Sequence, residues 1–338
     1  MPDRLIECVP NFSEGRNPDI IRQISEAIES VGGVKLLNID PGYAANRTVM
    51  TFAGLPESVV EAAYNSIIKA AELIDMSRHC GEHPRIGATD VCPLVPISGV
   101  TMDECIALAR GLAKRVGESG IPVYCYENAA FFPERRNLAT CRSGEYEGIE
   151  KKIADRRWKP DFGPYMYNET VRRSGISVIG AREFLVAINF NLNTDSADVA
   201  MEIAKDVREK GRKIVENGVA RWQRGPLKGC KAIGWYIKEY GVAQVSMNVT
   251  DIDATPVHIA YEQVCRKARD RGVEVTGSEL IGLLPKRVLT EAGKYYGARS
   301  GLPENMKEEE LIELAVTSLR LADLAPFDYR KRVIEYLI

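Results

Sequence analysis

The sequence predicts an α+β fold made of two split βαβ halves. The chain has 338 residues, which suits two domains of ordinary size better than one large core. Short apolar runs alternate with helical periodicity, and the first half follows the order β-α-β-β-α-β with an added α-β unit. The second half repeats this order with little sequence identity. We therefore expect two ferredoxin-like subdomains, at residues 1–181 and 182–338.

In the first half, apolar and β-branched runs bounded by turn residues predict five strands. They are LIECVPNF, VKLLNID, RTVMTFAG, TDVCPLVPI and PVYCY. Runs with apolar residues three and four positions apart predict three helices. They are PDIIRQISEAIESV, PESVVEAAYNSIIKAAELI and a segment from Met102 to about Val116. A turn is expected at Pro41-Gly42, and a loop is expected around HCGEHPRIG.

The second half shows the same alternation. The predicted strands are FLVAINFNL, KAIGWYIKEYG, VAQVSMNVTDI and VEVTGSELIGLLP. The predicted helices are SADVAMEIAKDVREKG, TPVHIAYEQVCRKARDRG and two that begin near Pro285 and Glu308. Between the two halves, RRWKPDFGPYMYNETVRRSG has no convincing period, and we expect this stretch to be a linker.

Composition excludes several classes of function. Lys and Arg number 45 against 47 Asp and Glu, so the net charge of −2 does not suggest a nucleic-acid-binding protein. No apolar run approaches the roughly 18 residues of a membrane span, and MPDRLIECVPNF lacks the apolar region of a signal peptide. The eight cysteines form no CxxC pair. We expect a cytoplasmic protein without a disulfide framework.

Two predicted strands carry polar side chains along one face. With a side-chain period of two, the sets are Asn189, Asn191 and Asn193 on one strand, and Gln244, Ser246 and Asn248 on the other. Antiparallel sheets commonly have one solvated face, which is the simpler explanation. The alternative is a cleft in which the amides orient a small ligand. The residues alone favour neither.

The histidines offer the clearest titratable groups. The sequence has three, which are His79, His83 and His258. His79 and His83 lie four residues apart, as two metal ligands on a helix would, but Gly81 and Pro84 argue against a helix there. His83 also suits general acid/base catalysis, because an imidazole titrates near neutral pH. Metal binding by this loop, catalysis by His83 and a purely structural role all remain open at this point.

Asp40 ends a predicted strand, and Arg47 follows a short turn. A carboxylate at a strand end could set the tautomer of a histidine or hold a substrate ammonium group, and an arginine could bind a carboxylate through two hydrogen bonds. An ordinary turn with a surface ion pair is the alternative. Asn11, in VPNFSEG, lies at a strand-to-helix connection where backbone amides could hold an anion. Neither GxxxxGK[ST] nor GxGxxG occurs, so nucleotide-dependent chemistry is unsupported.

Several sequence segments, taken together, point to a known family. They are CVPNFSEG at 8–15, NRTV at 46–49, LIDMSRHCGEHPRIGATDVCPLVP at 73–96, GEYEG at 144–148, WKPDFGP at 158–164 and GAREFLVAINFNL at 180–192. Together they resemble the glutamate formimidoyltransferases, the formiminotransferase portion of formiminotransferase-cyclodeaminase. The resemblance continues through KAIGWYIKEYGVAQVSMNVTD to RVIEYLI and so covers nearly the whole chain.

The resemblance implies transfer of a formimino group between N-formimino-L-glutamate and N5 of tetrahydrofolate. Tetrahydrofolate or its polyglutamates would be the co-substrate, without a metal, and a separate cyclodeaminase would process the product. The histidine of GEHPR, here His83, would be the catalytic acid/base. Folate would lie in a tunnel between the subdomains, in contact with the segment from Gly163-Pro164 to Gly175, and the assembly would be a homodimer. PYMYNETVRRSG, within that segment, is longer and more basic than the family pattern.

The chemistry of this reaction suggests further roles. We expect Asp40 to orient or charge His83, and Arg47 or Arg85 to bind a glutamate carboxylate. Other expected contacts to substrate or folate are Asn11, Asn191, Gln244 and Asn248. Three alternatives remain: a transferase that uses 5-formyltetrahydrofolate and glutamate, a non-catalytic sensor of folate or an amino acid, and a metal-dependent hydrolase using His79, Cys80 and His83.

Overall fold

The computed structural model describes residues 4–216 and 219–338. They divide into two compact units, one reaching to Glu183 and the other spanning Phe184–Leu337. Each unit combines helices with a β-sheet and has its own apolar core, so the predicted α+β class is confirmed. Within the described residues, no helix has the length and apolar character needed to cross a membrane.

The first unit is built on a seven-stranded sheet. Its strands are β1 (Leu5–Cys8), β2 (Asn11–Phe12), β3 (Val34–Gly42), β4 (Arg47–Gly54), β5 (Thr89–Ser98), β6 (Val123–Glu127) and β7 (Ser177–Ala181). Strand β4 pairs antiparallel with β1, β2 and β3, and β5 pairs antiparallel with β1 and β2. Strands β5, β7 and β6 are parallel neighbours. Because β3 runs through Pro41-Gly42, the expected turn lies further along the chain, before β4.

Three long helices cover this sheet and match the predicted runs. The helices of the unit are α1 (Pro18–Glu29), α2 (Pro56–Leu73), α3 (Met102–Glu118), α4 (Leu138–Cys141), α5 (Ile149–Ala154) and α6 (Glu169–Ser174). The side chain of Asn17 caps α1 ahead of Pro18, and Thr101 with Glu104 forms a capping box on α3. Local sequence therefore sets where these helices begin, and their buried apolar faces hold them on the sheet.

The stretch expected to be a linker belongs to the first unit. Its residues form α6 and lead into β7, which lies inside the sheet between β5 and β6. Val171 of α6 is buried, and Phe162 accepts a hydrogen bond through its carbonyl from the backbone N–H of Val123 at 2.9 Å. The stretch lacks periodicity because it is held by irregular backbone contacts rather than by one amphipathic face.

The second unit contains a four-stranded antiparallel sheet and a separate two-stranded hairpin. Its strands are β8 (Val186–Leu192), β9 (Arg212–Glu216), β10 (Val219–Gln223), β11 (Cys230–Ile237), β12 (Val242–Val249) and β13 (Val275–Ile281). The sheet has the order β11-β12-β8-β13. Its helices are α7 (Ala197–Val207), α8 (Val257–Arg269), α9 (Lys286–Arg299) and α10 (Glu308–Ser318). The hairpin β9-β10 was not predicted, because its strands are largely exposed and lack alternating apolar residues.

Candidate active site

The loop that carries His79 and His83 is tied to the turn between β3 and β4. Gly81 lies so close to this turn that a Cβ there would be 2.2 Å from the carbonyl oxygen of Ala45. Asn46, in the left-handed region at φ 46°, donates from Nδ2 to the carbonyl of Cys80 at 2.9 Å. Its Oδ1 accepts from the backbone N–H of Gly15 at 3.0 Å. A glycine and an αL asparagine thus hold the histidine loop against β4.

His83 is held as a neutral base by its surroundings. Its Nδ1 lies 2.7 Å from the carbonyl oxygen of Pro84, which can only accept, so Nδ1 carries the proton and the ring lone pair is on Nε2. Burial and the positive charges of Arg47 and Arg142 hold the pKa of His83 well below its ordinary value of 6.5. Asp90 and the Pro84 carbonyl act in the opposite direction but do not outweigh them. The imidazole is therefore uncharged at neutral pH.

Two arginines share one buried carboxylate beside this histidine. Asp90 lies at the start of β5 with its side chain fully buried, and it pairs with both Arg47 of β4 and Arg142, which follows α4. Its Oδ1 also accepts the backbone N–H of Ile86 at 2.9 Å. Burial alone would raise the pKa of Asp90, but the two guanidinium groups outweigh it and hold the pKa well below its usual range. The carboxylate is therefore ionised at neutral pH.

This cluster carries a surplus of positive charge. Two guanidinium groups and one carboxylate leave a net charge of about +1, and burial lowers the pKa of Arg47 to about 10. Nε of Arg47 donates to Oδ1 of Asn11 at 3.0 Å. Among residues 4–216 and 219–338, Nη2 of Arg47 and Nη1 of Arg142 donate no hydrogen bond. The arrangement can bind an anion such as a carboxylate.

His79 and Arg85 hydrogen-bond to each other. Nδ1 of His79 accepts from Nε of Arg85 at 3.2 Å, and its Nε2 donates to the carbonyl of Asn46 at 2.8 Å. Arg85 also donates to Glu147 at 2.6 and 2.8 Å and to Glu145 at 3.2 Å. The guanidinium expected to bind a substrate carboxylate is thus already paired with carboxylates of this chain. Arg85, Glu145 and Glu147 line an open cavity of about 450 Å³.

Metal binding by this loop was considered only as an alternative. Both ring nitrogens of His79 are used within the protein, so it has no lone pair to offer a metal. Among the described residues, no group of three or more His, Cys, Asp or Glu side chains converges as metal ligands do. The hydrolase alternative needs His79, Cys80 and His83 as ligands, and in this structure both ring nitrogens of His79 are already hydrogen-bonded.

Asp40 and Asn11 lie on the sheet face that Arg47 occupies. Both are register partners of Val49, Asp40 from β3 and Asn11 from β2, and Arg47 precedes Val49 by two residues on β4. Asn11 acts on Arg47 directly, since its Oδ1 accepts from Nε while its own Nδ2 donates to the carbonyl of Val9 at 2.9 Å. The contact that sets the tautomer of His83 comes from Pro84, so the expected action of Asp40 on His83 stays a prediction.

The polar strand faces of the second unit form a connected network. Gln244 of β12 donates from Nε2 to Oδ1 of Asn191 on β8 at 2.7 Å, and its Oε1 accepts from Nε1 of Trp235 on β11 at 3.0 Å. Asn189 and Tyr240 donate to the two carboxylate oxygens of Glu279 on β13, at 3.0 and 2.9 Å. The network is buried at Asn189, Asn191 and Gln244, whereas Asn248 is exposed and lies outside it.

Two glycines bound the expected folate segment. Gly163 adopts φ 84°, and a Cβ there would lie 2.5 Å from the carbonyl oxygen of Ile121. Gly175 ends α6 at φ 67°, and a Cβ there would lie 2.3 Å from the carbonyl oxygen of Ile86. Both positions require glycine for backbone reasons. Pro164 is half-buried, and the exposed apolar side chains that follow it are Tyr165, Met166 and Tyr167.

Comparison with known proteins identifies the family. Residues 5–182 match the model of the formiminotransferase domain, N-terminal subdomain, and residues 187–338 match that of the formiminotransferase domain. The chain belongs to the formiminotransferase family. The resemblance seen in the sequence strings is therefore confirmed.

Curated formiminotransferase relatives are similar over most of this chain. A formimidoyltransferase-cyclodeaminase from Sus scrofa is 46% identical over 99% of this chain and 60% of its own length. The chain thus spans about 60% of the length of such relatives. Glutamate formimidoyltransferases from Thermoplasma acidophilum and Streptococcus pyogenes are 42% and 41% identical, covering 92% and 87% of this chain and 98% and 93% of their own lengths.

Sequence reasoning missed several residues that this formiminotransferase fold brings together. Asp90 was read only as part of a strand, although a single carboxylate in an apolar strand is a signal of a buried pair. Arg142 lies in a stretch with several other basic residues, and nothing local distinguishes it from them. Glu279 and Trp235 join the amide network from separate strands. Their partners are distant in sequence, so no local pattern could reveal them.

Proposed function

We propose that this protein transfers a formimino group between N-formimino-L-glutamate and N5 of tetrahydrofolate. The observation that carries the proposal is its similarity, at 42% and 41% identity, to two glutamate formimidoyltransferases that it matches over 98% and 93% of their lengths. The neutral histidine beside a positively charged pair of arginines supplies the groups that this reaction needs.

His83 acts as general base and then as general acid in this proposal. The new bond joins the attacking nitrogen to the one-carbon unit, and the bond from that carbon to the glutamate nitrogen breaks. Nε2 of His83 accepts the proton of the attacking nitrogen and returns it to the leaving glutamate nitrogen, so one proton serves both steps. A depressed pKa supports this cycle, because the base is unprotonated at neutral pH and its conjugate acid readily gives the proton up.

Arg47 and Arg142 bind a carboxylate of the glutamate portion. The support is their surplus charge and the Nη donors that have no partner among the described residues. Asn11 orients Arg47, and Asp40, on the same sheet face, acts on His83 or on a substrate ammonium group. The remaining proposed contacts to folate are Gly163, Pro164, Gly175, Asn191, Gln244 and Asn248.

Both units are ferredoxin-like in this proposal. The support is the order β8-α7-β11-β12-α8-β13 with the sheet order β11-β12-β8-β13, in which every pair is antiparallel. In the first unit, β1, β3, β4 and β5 follow the same connection pattern, and β6 and β7 extend the sheet. The ligand cleft, the homodimer and a following cyclodeaminase step stay predictions.

The test is a tetrahydrofolate-dependent assay of glutamate release from formiminoglutamate, with 5-formyltetrahydrofolate plus glutamate in parallel. We expect turnover with the first pair and a loss of about 10²–10⁴-fold in kcat for His83→Gln. His258→Gln, which removes a histidine of the second unit, should stay within a few-fold of the wild type.

Three results would contradict the proposal. Turnover only with 5-formyltetrahydrofolate and glutamate would replace the formimino donor by a formyl donor. Absence of turnover with both pairs, although tetrahydrofolate binds, would favour a sensor. An unchanged kcat in His83→Gln would remove the acid/base role from that residue.

A further inference from the structure

Lys152, outside the residues that face His83, is a buried cation. It lies on α5 and is 8% exposed, and its Nζ donates to three backbone carbonyls, those of Thr140, Cys141 and Ser143, at 3.1, 2.6 and 2.9 Å. The same ammonium lies 4.2 Å from the ring centroid of Trp158. No carboxylate pairs with Lys152 in the part of the chain that the structure describes.

The three carbonyls belong to residues that directly precede and follow Arg142 in the sequence. They belong to the end of α4 and the turn after it, where helical carbonyls lose their partners within the helix. The turn is tight: Gly144 and Glu145 have φ values of 86° and 51°, and the N–H of Glu145 donates to the carbonyl of Arg142 at 2.7 Å. The direction in which the Arg142 side chain leaves the backbone therefore depends on how this turn is held.

From this turn, the Arg142 side chain reaches Asp90. Nε donates to Oδ1 at 3.2 Å, and Nη2 pairs with Oδ2. Arg142 is thus the second cation of the cluster that surrounds His83. If Arg142 left Asp90, that carboxylate would neutralise Arg47 alone, and the positive surplus beside His83 would disappear.

We propose that Lys152 is a positioning residue of this site: by holding the turn at residues 140–143, it keeps Arg142 on Asp90 and so maintains the positive charge next to His83. The consequence for catalysis rests on the proposed function, but the consequence for the charge state of His83 does not.

The chemistry of Lys152 fits this task. An ammonium group has three donors, and here they face three carbonyls and the hydroxyl of Ser143, at 3.1 Å. Burial and the charge of Arg135 lower the pKa of Lys152 to about 8, with the Cys141 thiol opposing them. Arg135 is itself paired with Asp161 at 2.5 Å. An apolar residue at position 152 would fill the space but leave the three carbonyls without this donor.

The test measures the pKa of His83 directly by NMR titration of the histidine rings. The sequence has three histidines, so His83→Gln assigns the signal. The groups that act on His83 are Arg47, Arg142, Asp90 and the Pro84 carbonyl. We expect Lys152→Met to raise the pKa of His83 by about one unit. Lys151→Met, at the exposed neighbouring position, should leave it unchanged.

A double-mutant cycle shows whether Lys152 acts through Arg142. Arg142→Gln should raise the pKa of His83 by a similar amount, and Lys152→Met added to it should have no further effect. An unshifted His83 in folded Lys152→Met, or shifts that add in the double mutant, would overturn the proposal. Should Lys152→Met not fold, Lys152→Gln keeps an amide donor and should give a smaller shift in the same direction; no shift there would also overturn it.

The two proposals fail separately. A shifted His83 in a protein without formimino transfer would contradict the proposed function and leave the positioning role intact. Full transfer activity with an unshifted His83 in Lys152→Met would contradict the positioning role alone.

Discussion

The charged site around His83 and the amide network of the second unit are both buried polar clusters, but they differ in charge. The first joins Arg47, Asp90 and Arg142 from separate elements and is unbalanced by one positive charge. The second joins Gln244 and Asn191 to neighbouring polar groups, with Glu279 as its carboxylate.

This difference in charge determines which cluster is suited to proton transfer. In the first cluster, Arg47, Arg142 and Asp90 act on His83 in a buried environment, so we expect a displacement of these charged groups to change the pKa of His83. In the second, neutral amides hold fixed donor and acceptor directions that do not change with pH. We therefore expect the first cluster to control reactivity and the second to control geometry.

Replacing Asp90 tests the charge balance of the first cluster, and we expect it to reduce the free energy of unfolding more than any other change proposed below. Asp90→Asn removes the carboxylate that Arg47 and Arg142 share and leaves two buried cations together. We expect a loss of about 3–5 kcal/mol in the free energy of unfolding, measured by urea denaturation.

Asp103→Asn is the matched control, because Asp103 is exposed in the first turn of α3 and should cost less than about 1 kcal/mol. If both variants lost the same stability, the three-residue cluster would not stabilise the fold as described.

A smaller loss in the free energy of unfolding is expected when the amide network is altered. Gln244→Leu removes the hydrogen bonds that Gln244 makes with Nε1 of Trp235 and Oδ1 of Asn191, at a cost of about 1–3 kcal/mol in the free energy of unfolding. The pKa of His83 should not change, which would sharpen the contrast between the clusters. Urea denaturation and histidine NMR measure the two quantities.

Asn248→Ala, on the same strand but exposed, should stay within about 0.5 kcal/mol of the wild type. A clear change in the pKa of His83 on replacing Gln244 would break the proposed division between the two regions.

The smallest effect is the dependence of stability on pH. The pKa of His83 lies below 6.5 in the folded state. Between that pKa and pH 6.5, the unfolded chain therefore binds more protons than the folded protein. Stability is therefore complete above about pH 6.5 and falls as pH decreases towards the folded pKa, by about 1.4 kcal/mol per unit of pKa difference.

His83→Gln should lose less stability than the wild type between pH 7 and 5, as measured by urea denaturation. His79 and His258 also have lowered pKa values and remain in both proteins, so the difference isolates His83. Equal losses would mean that the pKa of His83 is not depressed by burial and the arginines.

Much of the fold could be predicted from local sequence. The apolar spacing of PDIIRQISEAIESV predicted α1, and alternating residues predicted β8 and β12 with their polar faces. The hairpin β9-β10 was missed because neither face is buried. The partners of Asp90 were missed because Arg47 and Arg142 lie 43 and 52 residues away in sequence.

Local sequence patterns account for the order and type of most elements, and the GEHPR motif pointed to His83. The contact between His79 and Arg85, the pairing of Arg85 with Glu147, and the position of His83 beside two arginines that share one aspartate depend on the tertiary structure. The physical reason is that helix and strand formation depend on neighbouring residues, whereas a pKa depends on burial and on charges brought together from distant segments.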